Sequence, residues 1–235
     1  MKSNFIRYFA LVVFSLALTG CATVASQQTK QESNITAPTT TPQNDNISRP
    51  TSEPYTGDLS IFEDPKRDEN LQINRVMDIL KIKENANVAD IGAGSGWFTT
   101  RAAKRTKGTI YAVEINQEYV DYIKNRAEKE NLANVKTILG KEDDPILPAN
   151  TIDAVMILKT YHEIGEPVKV LKNLKKALRK DALVGIIDRD GNGEDHGIAS
   201  DTIIKEAEQA GFKLKDKYDF VKPDGMDYFL VFRVK

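Results

Sequence analysis

Cysteine is almost missing from this sequence: its 235 residues contain one, Cys21. A single thiol leaves no internal disulfide and no metal site of the Cys₄ or Cys₂His₂ type. An excess of charge of either sign is missing too, with 33 Lys plus Arg against 34 Asp plus Glu. No arm or stripe is strongly basic, so nothing supports nucleic-acid binding. A long apolar run is the third absence. The run Tyr8 to Ala17 falls well short of the roughly 20 residues a membrane-spanning helix needs. What remains is a chain 40% hydrophobic, ordinary for a soluble globular core.

The first 21 residues read as an address. Lys2 and Arg7 precede the short apolar run, which ends in Leu18-Thr19-Gly20-Cys21. That ending resembles a bacterial lipobox, in which the cysteine is acylated and becomes the mature N-terminus. The competing reading is an uncleaved N-terminal anchor with an incidental cysteine. The one cysteine of the chain stands where a lipobox requires it, which favours lipidation at Cys21. The expected location is then the bacterial cell envelope, with the rest of the chain facing the periplasm or exterior. Residues 22–58 hold Pro38, Pro42, Pro50 and Pro54 and one aromatic, Tyr55, with no apolar periodicity. Such a segment buries too little apolar surface to offset its ordering entropy, so it is expected to be a disordered linker.

Residues 59–235 alternate strand and helix signals and form the expected globular domain. Apolar spacing predicts a helix over Leu71 to Leu80 and a strand at Asn87–Ile91. A glycine-rich turn and a helix starting near Trp97 follow, with Gly108 placed to end that helix. Further strands are expected at 109–115, 135–139, 152–158 and 182–188. Helices are expected at 117–131, after Gly165-Glu166-Pro167, and at 200–210. Two β-rich runs, 212–221 and 227–234, close the chain as a hairpin. Strands alternating with helices predict an α/β fold: a mostly parallel sheet with helices on both faces.

The chemistry concentrates after the first strand. Gly92, Gly94 and Gly96 let backbone approach a ligand at the strand's C-terminal end, where an open α/β sheet has its crevice. The dinucleotide fingerprint places its third glycine one position later, at Trp97, so the spacing argues against nicotinamide and flavin. Asp90 precedes the turn. Glu114 ends the second strand as an acceptor for ribose hydroxyls, and Glu142 and Asp143 follow the third as acceptors for an adenine amino group.

With V-A-D-I-G-A-G-S-G-W-F, Y-A-V-E-I, D-D-P-I-L-P and I-D-A-V-M-I-L-K-T-Y-H-E-I, the domain resembles class I S-adenosylmethionine-dependent methyltransferases, closest to a bacterial subgroup with Tyr-His-His or Tyr-His-Glu after strand four. The resemblance implies a Rossmann-like seven-stranded sheet in the order 3-2-1-4-5-7-6 with the last strand antiparallel. It implies S-adenosylmethionine as cofactor, the methionine portion on Asp90 and the loop through Gly92, Gly94 and Gly96, the ribose on Glu114 and the adenine on Glu142 or Asp143. Lys141 stands where family members often carry an acid.

Methyl transfer from a sulfonium needs an aligned acceptor, exclusion of water and often removal of a proton. His162 is the expected base, with Tyr161 and Glu163 orienting the substrate or the imidazole. The loop from Asp188 to His196 begins like a calcium loop, but its twelfth position is Ala199, not Glu. A weak site using His162, His196 and nearby carboxylates is conceivable, yet polar loops look like this without an ion, and no metal is expected. The expected function is a monomeric, lipid-anchored methyltransferase for a small molecule or envelope component. The alternative is a non-catalytic nucleoside- or metabolite-binding lipoprotein on the same fold, since S-adenosylmethionine is a cytosolic metabolite.

Overall fold

A sheet of seven strands in the order β3-β2-β1-β4-β5-β7-β6 organises the chain. The computed structural model describes residues 48, 49, 51, 55, 57–192 and 196–235. The expected signal segment 1–21 with Cys21, and most of the expected linker, lie outside them. The strands are β1 (Val88–Ile91), β2 (Ile110–Glu114), β3 (Val135–Leu139), β4 (Ile152–Leu158), β5 (Leu178–Arg189), β6 (Phe212–Tyr218) and β7 (Asp227–Val234). Strands β1 to β5 pair in parallel, and β7 runs antiparallel to both β5 and β6. This is the sheet that the resemblance implied.

Side-chain alternation sorts each central strand between two cores. In β4, Val155 and Ile157 join one core with Val168, Leu171 and Leu174 of α5 (Pro167–Ala177) and Ile203 of α6 (Ser200–Gln209). Ala154, Met156 and Leu158 face the other, with Val76 and Met77 of α2 (Ile73–Ile79) and Phe98 and Ala102 of α3 (Trp97–Arg105). Covered on both faces, β1 has no exposed position, which is why its sequence lacks polar alternation. Burying one Leu or Ile here contributes roughly 1.5–3 kcal/mol. The fold therefore rests on this double layer, with α4 (Gln117–Lys129) packed beside β2 and β3.

Some elements differ from their sequence-based bounds. The helix expected over 71–80 is preceded by a separate α1 (Arg67–Asn70), and Gln72, with φ of 45°, breaks the two apart. Helix α3 stops at Arg105 because Thr106 turns to extended backbone, before Gly108 is reached. Strand β5 starts at Leu178 rather than Ala182, since its exposed Arg179, Lys180 and Asp181 hide the beginning of the run. Among the described residues no helix is long and apolar enough to cross a membrane.

Candidate active site

The C-terminal ends of β1, β2 and β4 open onto one cavity of about 780 Å³. That is within the roughly 300–1,000 Å³ usual for small-molecule sites. The turn after β1 shapes its floor. Gly92, Gly94 and Gly96 all have positive φ, at 66°, 57° and 74°. A Cβ on Gly92 would lie 2.2 Å from the Thr160 side chain, so only glycine lets the turns after β1 and β4 meet. Gly94 lines the cavity, and a Cβ there would meet no protein atom within 4 Å. The backbone is thus bare on the ligand side. Gly96 lies behind the cavity wall, against Ile123, and acts by starting α3.

Three carboxylates stand around this turn. Asp90 is buried and accepts a 2.6 Å hydrogen bond from the Thr99 hydroxyl. Burial pushes its carboxyl up to about 7, Glu114 adds to the rise, and the Thr99 bond opposes it. Glu114 accepts the Gly94 N–H at 2.5 Å and the Ile115 N–H at 3.2 Å, one on each oxygen. Burial raises its carboxyl as well, against the lowering by the Gly94 N–H. Glu142 lines the cavity together with Lys141. Asp143 does not: its carbonyl accepts from the Asn173 amide at 2.8 Å on the α5 side, so of the two adenine candidates only Glu142 faces the cavity.

The turn after β4 is a single 3-10 turn, Tyr161–Glu163. With three residues per turn, its side chains leave in three directions. Tyr161 goes into the core, fully buried, and donates its hydroxyl to Glu206 at 2.8 Å. It does not reach the cavity, which corrects the expectation that it orients a substrate. His162 turns toward the end of β5, where its Nδ1 is 2.8 Å from Asp188 Oδ1. Glu163 faces the cavity, with Oε1 3.8 Å from His162 Nε2. Burial pushes Glu163 up to about 7, with His162 opposing the rise and Glu114 and Asp188 adding to it.

Several site residues escape the sequence reading. Arg67 lines the cavity with its guanidinium 4.5 Å from the centre of the Trp97 ring, and burial lowers it to about 10. Trp97 Nε1 is buried with no hydrogen-bond partner among the described residues, a donor left over in the cavity wall. Glu63 accepts from Ser95 at 2.7 Å and from Nη1 and Nη2 of Arg126, fastening the chain before α1 to the glycine turn. The segment expected as linker also contributes. Arg49 donates to the carbonyls of Tyr161 and His162 at 2.7 and 3.1 Å and to Glu206 at 3.2 Å. Thr51 and Tyr55 line the cavity. A lone aromatic in a polar segment was the one available hint.

A nucleoside sulfonium fits this donor set: bare backbone at Gly94, acids at the ends of β1 and β2 and after β3, and an unused indole N–H. Comparison with known proteins agrees. A family model described as a methyltransferase domain matches residues 82–219. A protein-L-isoaspartate O-methyltransferase of Pyrococcus horikoshii is 31% identical over 93 residues, 40% of this chain and 42% of that protein. The nocamycin O-methyltransferase of Saccharothrix syringae is 25% identical over 114 residues, 48% of this chain and 41% of that one. The chain thus spans under half the length of these curated relatives. An S-adenosylmethionine-dependent methyltransferase structure from Aquifex aeolicus superposes with a TM-score of 0.68 at 26% identity, over 77% of this chain and all of that one. By family match, by fold and by the acids that ring its cavity, this chain belongs to the S-adenosylmethionine-dependent methyltransferases, with S-adenosylmethionine as cofactor.

Proposed function

We propose that this protein methylates a small-molecule or envelope acceptor bound in the cavity beside Glu163. The observation that carries the reading is that Asp90, Glu114, Glu142 and Glu163 share one cavity with the bare backbone of Gly94. Asp90 and the glycine turn take the methionine portion, Glu114 the ribose hydroxyls and Glu142 the adenine amino group. S-adenosylmethionine supplies a methyl group whose loss leaves a neutral thioether. The chain's part is to align the acceptor, exclude water and take a proton.

Glu163 is the group that reaches the acceptor. Glu163 would take the acceptor's proton as the acceptor heteroatom receives the methyl group that bound S-adenosylmethionine would supply. His162, tied to Asp188, stands behind Glu163 and steadies its charge. The relatives are named for oxygen and for nitrogen acceptors, as in the arginine N(omega)-methyltransferase of a Streptomyces achromogenes subspecies. Lipidation at Cys21 and an envelope location belong to the same proposal.

The test is label transfer from cofactor to candidate small molecules and envelope extracts. Wild type should transfer, while Glu163→Gln and His162→Ala should bind cofactor normally and lose roughly two to four orders of magnitude in rate. Cofactor binding with no transfer to any acceptor would favour the non-catalytic binding lipoprotein. Equal transfer by all three proteins would remove both residues from catalysis.

A further inference from the structure

The chain has two histidines, and the fold brings them together. His162 follows β4 and His196 follows β5, and their rings meet edge to face with centroids 5.9 Å apart. Glu163 completes the group. One ligand atom from each of the three lies within 4.8 Å of the other two. Methyl transfer as proposed uses Glu163 and His162 and gives His196 no task.

We infer that His162 Nε2, the Glu163 carboxylate and His196 form a binding site for a divalent first-row transition-metal ion. Such an ion holds nitrogen and oxygen donors at about 2.0–2.2 Å, which sets tetrahedral donors roughly 3.4 Å apart. The His162–Glu163 separation of 3.8 Å is close to that already. His196 is exposed on its loop, and with all three ligand atoms within 4.8 Å the remaining approach is at most about 1.4 Å.

The surroundings of His162 are those of a metal ligand. Asp188 accepts at Nδ1 and also receives the His162 backbone N–H at 3.1 Å and the Arg189 N–H at 2.8 Å. An imidazole held in this way at Nδ1 points its Nε2 lone pair outward, toward Glu163. A carboxylate on the far nitrogen is the usual outer partner of a metal-bound histidine, fixing its tautomer and raising its basicity. Lys159, which lines the same cavity, is paired with Asp227 at 2.5 Å.

Two imidazoles and one carboxylate select zinc, cobalt, nickel or iron over magnesium or calcium, which prefer all-oxygen shells. Three protein ligands leave at least one position open, and Glu163 puts that position at the cavity wall. An ion there and a proton compete for the same Nε2 and carboxylate atoms. A bound ion would therefore block the proton acceptor of the proposed transfer, and the site is tested without cofactor or acceptor so that its outcome does not depend on that reading.

Cobalt(II) is the probe. Titrated into the purified full chain without cofactor, it should give the intense visible bands of a low-coordinate nitrogen–oxygen site, saturating at one ion per chain and bleached by zinc. His196→Ala should weaken cobalt binding at least tenfold while the metal-free variant still unfolds in one cooperative transition. Asp188→Asn should weaken it by about 10–100-fold through the imidazole it orients. No bands at millimolar cobalt would overturn the site. So would bands of full strength in His196→Ala, or bands that vanish with Cys21→Ser instead.

Discussion

Asp188 grips His162 twice, through Nδ1 at 2.8 Å and through the backbone N–H at 3.1 Å. The two residues come from the ends of neighbouring parallel strands, β5 and β4, so the sheet itself sets the ring's position. Asp188 is fully buried, and its loss strands a buried donor.

Asp188→Asn keeps the shape and removes the charge. Stability should fall by about 1–3 kcal/mol, the cost of an ill-matched buried hydrogen bond. Methyl transfer should fall at least tenfold in kcat with cofactor affinity unchanged. A purely structural role would lower the melting temperature and leave kcat and its pH profile alone.

Asp90 should set stability and binding against each other. Its carboxyl is raised to about 7 by burial, so the folded protein holds that proton more tightly than the unfolded chain. The sign follows: this contribution is fully present below about pH 4 and is lost as pH rises through about 7. Asp90→Asn should therefore melt several degrees higher than wild type at pH 8, with the difference vanishing at low pH. The same variant should bind S-adenosylmethionine more weakly, having lost the negative charge. Melting curves across pH and calorimetry check both halves.

Arg49 ties the chain before the domain to the turn after β4. Its side chain is 12% exposed and that of its partner Glu206 4%, so the pair is shielded from solvent. Arg49→Ala leaves Glu206 with only the Tyr161 hydroxyl, and two carbonyls lose a donor. The expected loss is about 1–3 kcal/mol, measured by denaturant unfolding. A loss below half a kilocalorie would mean that this segment merely rests on the domain.

The sheet was legible because strands buried on both faces read as short apolar runs between turn residues. Strands β3, β4 and β7 carry the bounds that the sequence suggests. Where exposed charges enter a strand, as at Lys180 and Asp181, the run is broken and the edge is lost. The site was legible only in one dimension. Acids at strand ends can be read from spacing, but the facing of neighbours cannot. Tyr161, His162 and Glu163 are consecutive, and a 3-10 turn sends them to core, strand end and cavity. Glu142 and Asp143 part in the same way. Arg49 and Arg67 act through tertiary contacts that no local pattern announces.

The central claim is that the acids around the glycine turn hold S-adenosylmethionine, and Glu114 tests it most directly. Its two oxygens are preset by the Gly94 and Ile115 N–H groups. Calorimetry should be run on the purified wild-type chain and on Glu114→Ala, side by side, with S-adenosylmethionine. The account predicts one site per chain in wild type and a loss of roughly 1.5–3 kcal/mol in the variant, about 10- to 150-fold in affinity. No heat from wild type at millimolar cofactor, or equal affinity in the two proteins, would contradict it.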